Sequence, residues 1–197
     1  VGALGTVYGV VFKVEDIKSY IVYLGIGLVS WNSLSSSIST APTLFEQNRE
    51  QILNTNINPI FYTLEEWAFQ SQTFIQSFSL VIIGLSFFQT TLLINIFTVG
   101  ILPVINFLVF MYWVPLMVAI LGLKYKDLYQ LIPVVLQLMF LLSPILYKKD
   151  TLGKLSITAD LNPVFQAINF LRETLITGNL SFVKLFLMTV LNIFGLI

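Results

Sequence analysis

Side chains that could carry nucleophilic or acid–base chemistry are scarce in this chain of 197 residues. It contains ten acidic and ten basic residues, no histidine and no cysteine. Thiolate nucleophiles, disulfides, and metal sites or proton relays built on imidazole are therefore excluded. A formal net charge of zero gives no electrostatic reason to expect nucleic acid as a partner. The sequence thus predicts no catalytic residue and no metal site.

Carboxylates are the remaining candidates for catalysis. Outside the charged turn at Glu15 and Asp16, the only adjacent acidic pair is Glu65-Glu66. An intramembrane enzyme, such as a lipid-linked sugar or acyl transferase, would need a carboxylate cluster or a histidine at the membrane surface, so this class is the less favoured alternative. The motif Gly-x-x-x-x-Gly-Lys-Ser/Thr, which cradles phosphates in many ATPases, is also missing. The chain therefore cannot hydrolyse ATP by that route alone.

The composition indicates a membrane protein built from helices. Hydrophobic residues make up 56% of the chain and charged residues 10%, and the mean hydropathy is +0.87. Soluble domains carry about 25% charged residues, so this chain has too few charges to cover a water-facing surface. Its apolar runs show no alternation of period two, which favours helices over barrel strands. We expect an all-α integral membrane protein.

The apolar runs predict how often the chain crosses the membrane. A helix needs about 20 mostly apolar residues to span the hydrocarbon core. Residues 20–41, whose later half is rich in serine, and residues 128–147 each meet this length, and the uncharged residues 67–123 suit two helices joined by a tight turn near residues 89–95. Shorter runs at 1–12 and 182–197 indicate partial spans. We expect one transmembrane domain over residues 1–197, a fragment with six spans of which the first and last are truncated.

A polar segment after residues 20–41 must leave the bilayer. Thr43 and Glu46 match a capping box, which predicts the start of a helix of about three turns. Phe45 and Ile52, seven residues apart, share a face of that helix, with Arg49 beside them. The segment is either a connector helix on the membrane surface or a docking helix that inserts into a partner's groove.

A second segment that is not a span lies between the last two apolar runs. Asn162 is a good N-cap, Pro163 suits the first helical turn, and Gly178 can end the helix in the left-handed conformation. Apolar residues recur on one side and polar residues on another: Val164, Ile168, Leu171 and Leu175 against Gln166, Asn169 and Glu173. This amphipathic helix either lies flat on the interface or dips into the membrane where protein or water covers its backbone.

Asp127 and Arg172 are the two charges that we expect nearest the membrane. Charges inside a bilayer are costly and usually functional, but both residues are compatible with positions just outside it. Asp127 either caps the helix that follows, where the helix dipole favours negative charge, or contacts a partner.

Two blocks of residues resemble a known family in their order and spacing. The first, residues 122–147, contains Lys126-Asp127, an apolar run, Ser143-Pro144, two apolar residues and Tyr147. The second contains Leu161-Asn162-Pro163, then Phe170-Leu171-Arg172-Glu173, then Gly178. They resemble the type-2 ABC transporter permeases that export O-antigen, capsular polysaccharide and teichoic acid chains. The family usually has Arg where this chain has Lys126, which keeps the charge but loses the bidentate fork.

The resemblance implies an architecture and a function. It implies six spans per subunit, two copies of the chain, and two separate ATP-binding cassette subunits that hold ATP and Mg, with no cofactor on this chain. The function implied is export of a lipid-linked glycan through the bacterial inner (cytoplasmic) membrane by a multi-pass permease surrounded by membrane lipid. The alternatives are a type-2 ABC exporter of drugs or small lipids and, less favoured, the intramembrane transferase.

The resemblance also implies roles for the two segments that are not spans. Residues 43–57 would be a cytoplasmic coupling helix, and residues 148–180 an external re-entrant helical segment. The residues implied in coupling to the ATPase subunit are Phe45, Glu46, Arg49, Ile52, Lys126 and Asp127. Those implied in the re-entrant segment are Ser143, Pro144, Asn162, Pro163 and Arg172. This topology opposes the positive-inside rule, but the order of the motifs outweighs the charge count.

Aromatic residues are candidates for the substrate path. The chain has 17 Phe, 8 Tyr and 3 Trp, and aromatic faces stack on sugar rings and release them easily. The predicted path residues are Tyr8, Phe12, Phe107 and Tyr112. The alternative for any of these rings is a place in the aromatic belt at the membrane surface.

Overall fold

The computed structural model describes residues 16–55, 57–147, 159 and 161–197, and every regular element within these ranges is helical. The elements are α1 (Ile17–Thr40), a 3₁₀ turn (Ala41–Thr43), α2 (Leu44–Gln47), α3 (Arg49–Asn54), α4 (Ile60–Ser86), α5 (Thr91–Thr98), α6 (Ile101–Lys124), α7 (Leu128–Leu142), α8 (Pro163–Thr177) and α9 (Phe182–Leu196). The predicted all-α class is therefore confirmed for the described part of the chain.

Helix α1 forms the centre of the bundle. Asp16 caps its start, since the carboxylate accepts hydrogen bonds from the Lys18 and Ser19 amides at 3.1 and 3.3 Å. A further bond from the Ser19 hydroxyl lowers the pKa of the Asp16 carboxyl. The helix packs against α4, α6, α7 and α8. Its apolar residues are consequently buried on several sides, among them Val22, Leu24, Ile26 and Leu34.

The helices around α1 expose apolar side chains on their outer faces. Examples are Leu80 on α4, Phe97 on α5, Leu142 on α7 and Phe194 on α9. Such a surface would be unfavourable in water but matches lipid tails. Among the described residues, two segments are long and apolar enough to cross a membrane, Ile17–Gln47 and Ile101–Lys124, and α7 and α9 are shorter apolar helices. Helix length and hydropathy alone thus support two of the expected spans.

The connections gather at two opposite ends of the bundle. Residues 41–54 and 122–129 form one end, here named the Pro42 end, where the 3₁₀ turn packs closely on α6. Residues 87–100, 143–147 and 161–181 form the other, the Asn95 end, where side chains of the α4–α6 connection bind the last carbonyls of α8. The chain therefore runs from one end to the other through α1, α4, α6 and α7 in turn.

The connection between the two helices of residues 67–123 differs from the predicted tight turn. Helix α4 ends at Ser86, and the eight-residue helix α5 intervenes before α6 begins at Ile101. Asn95 on α5 donates a hydrogen bond to the Leu175 carbonyl at 2.8 Å, and Gln89 before α5 donates to the Ile176 carbonyl at 2.8 Å. These bonds satisfy carbonyls that the end of α8 leaves without partners inside the helix.

The predicted capping box at Thr43 is wrong. The Thr43 backbone is helical, and its hydroxyl donates to the Thr40 carbonyl at 3.2 Å instead of accepting from Glu46. The physical reason is that α1 continues through the 3₁₀ turn into α2, so no free helix start exists for a side chain to cap. The predicted helix of about three turns is also divided at Asn48, whose side-chain amide donates to the Leu44 carbonyl at 2.8 Å.

Candidate functional site

A groove at the Pro42 end brings together two of the residues implied in coupling. Glu46 on α2 and Lys126 before α7 line the same groove of about 190 Å³. Its other lining residues are Pro42, Thr43, Gly122, Leu123 and Tyr129. A carboxylate and an ammonium group in one groove can contact charged side chains of both signs on a partner.

The other coupling residues lie around this groove. Phe45 is half-buried and packs against the small apolar cluster of Ala41, Leu44 and Ala119. Arg49 is exposed and Ile52 is half-buried on α3. Asp127 occupies the N-cap position of α7, but its side chain makes no capping hydrogen bond. The carboxylate of Asp127 is thus exposed beside Lys126.

A glycine allows the 3₁₀ turn to approach α6. A Cβ atom at Gly122 would lie 2.4 Å from the Pro42 carbonyl oxygen and 2.8 Å from its Cα. Because both contacts are with backbone atoms, no side-chain rotation can relieve them. Gly122 therefore fixes the distance between α6 and the segment that holds α2 and α3.

The Ser-Pro block at the end of α7 is bound by tyrosines of α1. Tyr23 donates from its hydroxyl to the Pro144 and Tyr147 carbonyls, each at 3.1 Å. The Tyr20 hydroxyl donates to the Leu146 carbonyl. Helix α7 ends at Leu142, so these carbonyls lie outside the helix and can accept the bonds. Sequence reasoning missed both tyrosines, although their three-residue spacing in an apolar span places them on one face.

Asn162 joins the Ser-Pro block to the start of α8. Its side-chain oxygen accepts from the Val164 and Phe165 amides at 3.0 and 3.3 Å, which confirms the predicted N-cap. Its side-chain nitrogen donates to the Ser143 hydroxyl at 2.8 Å. Helix α8 begins at Pro163 and ends at Thr177, and the φ of +69° at Gly178, directly after it, confirms the left-handed terminus.

Arg172 lies at the centre of this polar contact region. Its side chain is 0% exposed, and its guanidinium carbon lies 3.5 Å from the centre of the Tyr23 ring. Nη2 donates to Asn169 Oδ1 at 2.9 Å and to the Pro144 carbonyl at 3.4 Å. Within the described ranges, Nε and Nη1 have no hydrogen-bond partner. Arg172 is therefore inside the protein, and α8 is buried on most of its sides, with Glu173 and Thr177 exposed on the remaining one.

A polar groove lies between α1 and α4. It has a volume of about 370 Å³ and is lined by Leu28, Val29, Asn32, Ser33, Ser36, Gln70, Thr73, Ser77 and Val81. Six of these nine lining residues carry hydroxyl or amide groups, in contrast to the apolar outer faces of the bundle. The sequence analysis did not predict this groove; the serine-rich half of residues 20–41 was an available signal for the α1 wall, and the α4 wall had none.

A hydrogen-bonded carboxylate, that of Glu66, contacts Gln70 of the groove. Glu66 Oε1 accepts from the Thr40 hydroxyl at 3.1 Å and from the Gln70 side-chain amide at 2.9 Å. Glu66 thus links α1 to α4. Across the described part of the chain, no three acidic, cysteine or histidine side chains cluster as metal ligands would.

The predicted path residues are placed away from this groove or outside the described residues. Tyr8 and Phe12 lie outside the described ranges. Phe107 is 1% exposed and packs inside the subunit, with its ring centre 5.0 Å from that of Phe74. Tyr112 is half-buried and edge-on to Trp67 at 5.7 Å. Neither Phe107 nor Tyr112 lines the polar groove.

Comparison with known proteins identifies the family. The model of the ABC-2 type transporter family matches residues 2–176, which is most of the chain. No curated protein matches the sequence. Proteins of this family are membrane components of ABC transporters that work with ATP-binding subunits. The chain therefore belongs to the ABC-2 type transporter family and is a helical membrane permease.

Proposed function

We propose that this chain is the permease subunit of an ATP-driven exporter of lipid-linked polysaccharide, of the O-antigen, capsule or teichoic acid type. It acts in the bacterial cytoplasmic membrane with six spans, as one of two copies that pair with two ATP-binding cassette subunits. The two blocks at residues 122–147 and 161–178, whose order and spacing resemble this subfamily, support the choice of substrate.

The polar groove between α1 and α4 is the observation that carries the proposal. Hydroxyl and amide groups facing lipid would lose their hydrogen bonds to water at a considerable cost. They are favourable if the groove faces water or a polar substrate. Such groups donate to and accept from sugar hydroxyls, so two copies that face each other would enclose a path suited to a glycan.

The energy for transport comes from the partner subunit. The ATPase binds at the Pro42 end, where Glu46 and Lys126 line a groove and Phe45 and Arg49 lie beside it. Residues 43–57 are then the cytoplasmic coupling helix, and α8 belongs to the external re-entrant segment. Nucleotide and Mg are held by the ATPase, so this chain needs no cofactor of its own.

Transport by the reconstituted complex tests the substrate. The permease and its ATPase are placed in liposomes, and export of a fluorescent lipid-linked oligosaccharide is compared with export of a labelled drug and of a short-chain lipid. Ser77→Leu removes a polar group from the groove, and Ser79→Leu is the matched control because position 79 lies about 200° around the helix. One lost hydrogen bond is worth about 1 kcal/mol, so Ser77→Leu should lower glycan export about fivefold.

Three results would contradict the proposal. Export of the drug or the short-chain lipid without export of the oligosaccharide would favour the alternative exporter class. Equal loss of export in Ser77→Leu and Ser79→Leu would show that the groove does not line the substrate path. Transfer of sugar between lipids in the absence of the ATPase would favour the intramembrane transferase.

A further inference from the structure

Arg172 is a buried cation without a carboxylate partner in the described part of the chain. The neighbouring Glu173 pairs with Lys184 at the surface and not with Arg172. Removing a guanidinium from water is costly unless other groups compensate for the lost solvation. Here the compensation comes from the Tyr23 ring, the Asn169 side chain and the Pro144 carbonyl. A charge kept at such a cost usually has a function beyond packing.

The contacts of Arg172 join three segments at one point. The guanidinium belongs to α8, the Tyr23 ring that it stacks on belongs to α1, and the Pro144 carbonyl belongs to the turn after α7. The Tyr23 hydroxyl and Arg172 Nη2 both donate to the Pro144 carbonyl. On α1, one turn after Tyr23, a Cβ atom at Gly27 would lie 3.0 Å from Arg172 Nη1. Gly27 therefore leaves the space that the guanidinium needs.

Helix α1 also connects this point to the opposite end of the bundle. It runs without a break from Ile17 to Thr40 and continues through the 3₁₀ turn into α2. A helix of 24 residues is about 36 Å long. A displacement of α2 by a bound ATPase would therefore move Tyr23 at the far end of the same rigid helix.

We propose that Arg172 is a positioning residue for transport, which holds α8 to α1 so that both helices move as one body during the ATPase cycle. Stacking on Tyr23 transmits the movement sideways, from α1 to α8 and to the turn after α7. A closed outer end would then open only when the coupling segment moves. The proposal rests on docking of the ATPase at the Pro42 end, but it is independent of the substrate.

Distances between spin labels test this link in the complete complex with its ATPase. Cysteines are introduced at Ile17 and Thr177, which are exposed at the Asn95 end, into a chain that has no cysteine of its own. Complexes labelled at only one of the two positions give only the distance between the two copies, which is then recognised in the doubly labelled complex. Copurification of the unmodified permease with its ATPase is checked first, so that failure of the docking proposal is seen separately.

Addition of a non-hydrolysable ATP analogue should change the distance between Ile17 positions of the two copies. The distance from Ile17 to Thr177 within one copy should stay constant. In Arg172→Met this inner distance should shift or broaden on addition of the analogue, and more ATP should be hydrolysed per substrate exported. Lys184→Met removes an exposed cation from the same end and should behave like the unmodified protein.

Two further variants show whether the effect comes from the contact between Arg172 and Tyr23, and not from a folding defect or from the loss of a charge. Tyr23→Leu removes the stacking partner but keeps Arg172, and should give the same broadened distance as Arg172→Met. Arg172→Lys keeps the charge but loses the planar stacking group, so it should also fail to hold the distance. The proposal is overturned if the inner distance of the unmodified protein changes with nucleotide, if α1 does not move at all, or if Arg172→Met keeps the distance constant.

Discussion

Single polar side chains hold helices together in this bundle where apolar contacts alone would not fix their positions. The indole of Trp113 donates to the Asn192 side chain at 2.9 Å, and Asn192 donates to the Asn106 carbonyl at 2.9 Å. Asn192 is 4% exposed. In lipid, where the surroundings are as apolar as the side chains, such hydrogen bonds between helices give specificity to the packing. They set the register of α9 on α6.

Phe45 is the residue whose removal best distinguishes docking from a connector role. Aromatic residues dominate the energy of many interfaces, so Phe45→Ala should cost about 2 kcal/mol or more of ATPase binding. Thr43→Ala serves as a comparison within the same groove, because it removes only a small side chain whose hydroxyl caps no helix. We expect Phe45→Ala to abolish stimulation of the ATPase and export at equal expression, while Thr43→Ala changes both only slightly.

Unchanged ATPase stimulation in Phe45→Ala would contradict docking and favour a connector helix on the membrane surface. The structure revises what Thr43→Ala should do. A lost cap would cost about 1 kcal/mol, but α1 and α2 are nearly continuous, so that cost does not arise.

At the scale of elements, the approach of the 3₁₀ turn to α6 depends on Gly122. Gly122→Ala forces backbone atoms apart, because the new Cβ would lie 2.4 Å from the Pro42 oxygen. We expect a loss of about 1–3 kcal/mol in stability and weaker coupling, since the displaced turn carries α2 and α3. Thermal unfolding in detergent and stimulation of the ATPase measure the two effects.

Gly84 provides the matched control for this prediction. It lies within α4, and a Cβ atom there would meet no atom within 4 Å. Alanine is favoured over glycine inside helices by about 1 kcal/mol, so Gly84→Ala should be neutral or slightly stabilising. Equal behaviour of the two variants would show that the close approach at Gly122 does not constrain the coupling segment.

How far the elements could be predicted depends on whether their signals are local. The ends of α8 were predicted correctly because Asn162 and Gly178 act through neighbouring backbone groups. The burial of α8 was not predicted, because it comes from packing against α1, α5 and α6, which are distant in sequence. Helix α5 was missed because residues 67–123 are uncharged throughout, and the polar residues around its start, Gln89 and Thr90, indicated a turn instead. The box at Thr43 failed for the opposite reason, since a capping pattern has no effect where the preceding helix continues.

At the scale of the whole molecule, the two ends should lie on opposite sides of the membrane. Glu50 and Asn179 are exposed at the Pro42 and Asn95 ends. Single cysteines at these positions should react with an impermeant reagent from opposite sides, with Glu50 on the cytoplasmic side. Leu34, which is fully buried, provides a control position that should react from neither side. Labelling of Glu50 and Asn179 from the same side would rule out the proposed topology.

The candidate sites also differ in how far the sequence alone could predict them. Motif order drew attention to Ser143, Pro144, Asn162 and Arg172, since these residues lie in the two blocks that resemble the family, and the structure brings them together. The polar groove needed the structure, because its walls come from α1 and α4, and Ser36 and Thr73 become neighbours only when these helices pack. Phe107, one of the predicted path residues, packs in the core beside Phe74, and the sequence alone does not distinguish an aromatic residue of the core from one that lines a path.

The bonds from Gln89 and Asn95 to α8 also imply an order of assembly during synthesis. The two amide side chains precede their acceptor carbonyls by 87 and 80 residues, and a chain is made and folds from its N-terminus. Helices α1, α4, α5 and α6 are therefore synthesised before α8. Helices α7 and α8 then pack against helices that have already been made, so the contacts of α8 form late. A nascent chain stopped before residue 163 would present Gln89 and Asn95 without their final acceptors, a state that quality-control proteases could distinguish from the finished permease.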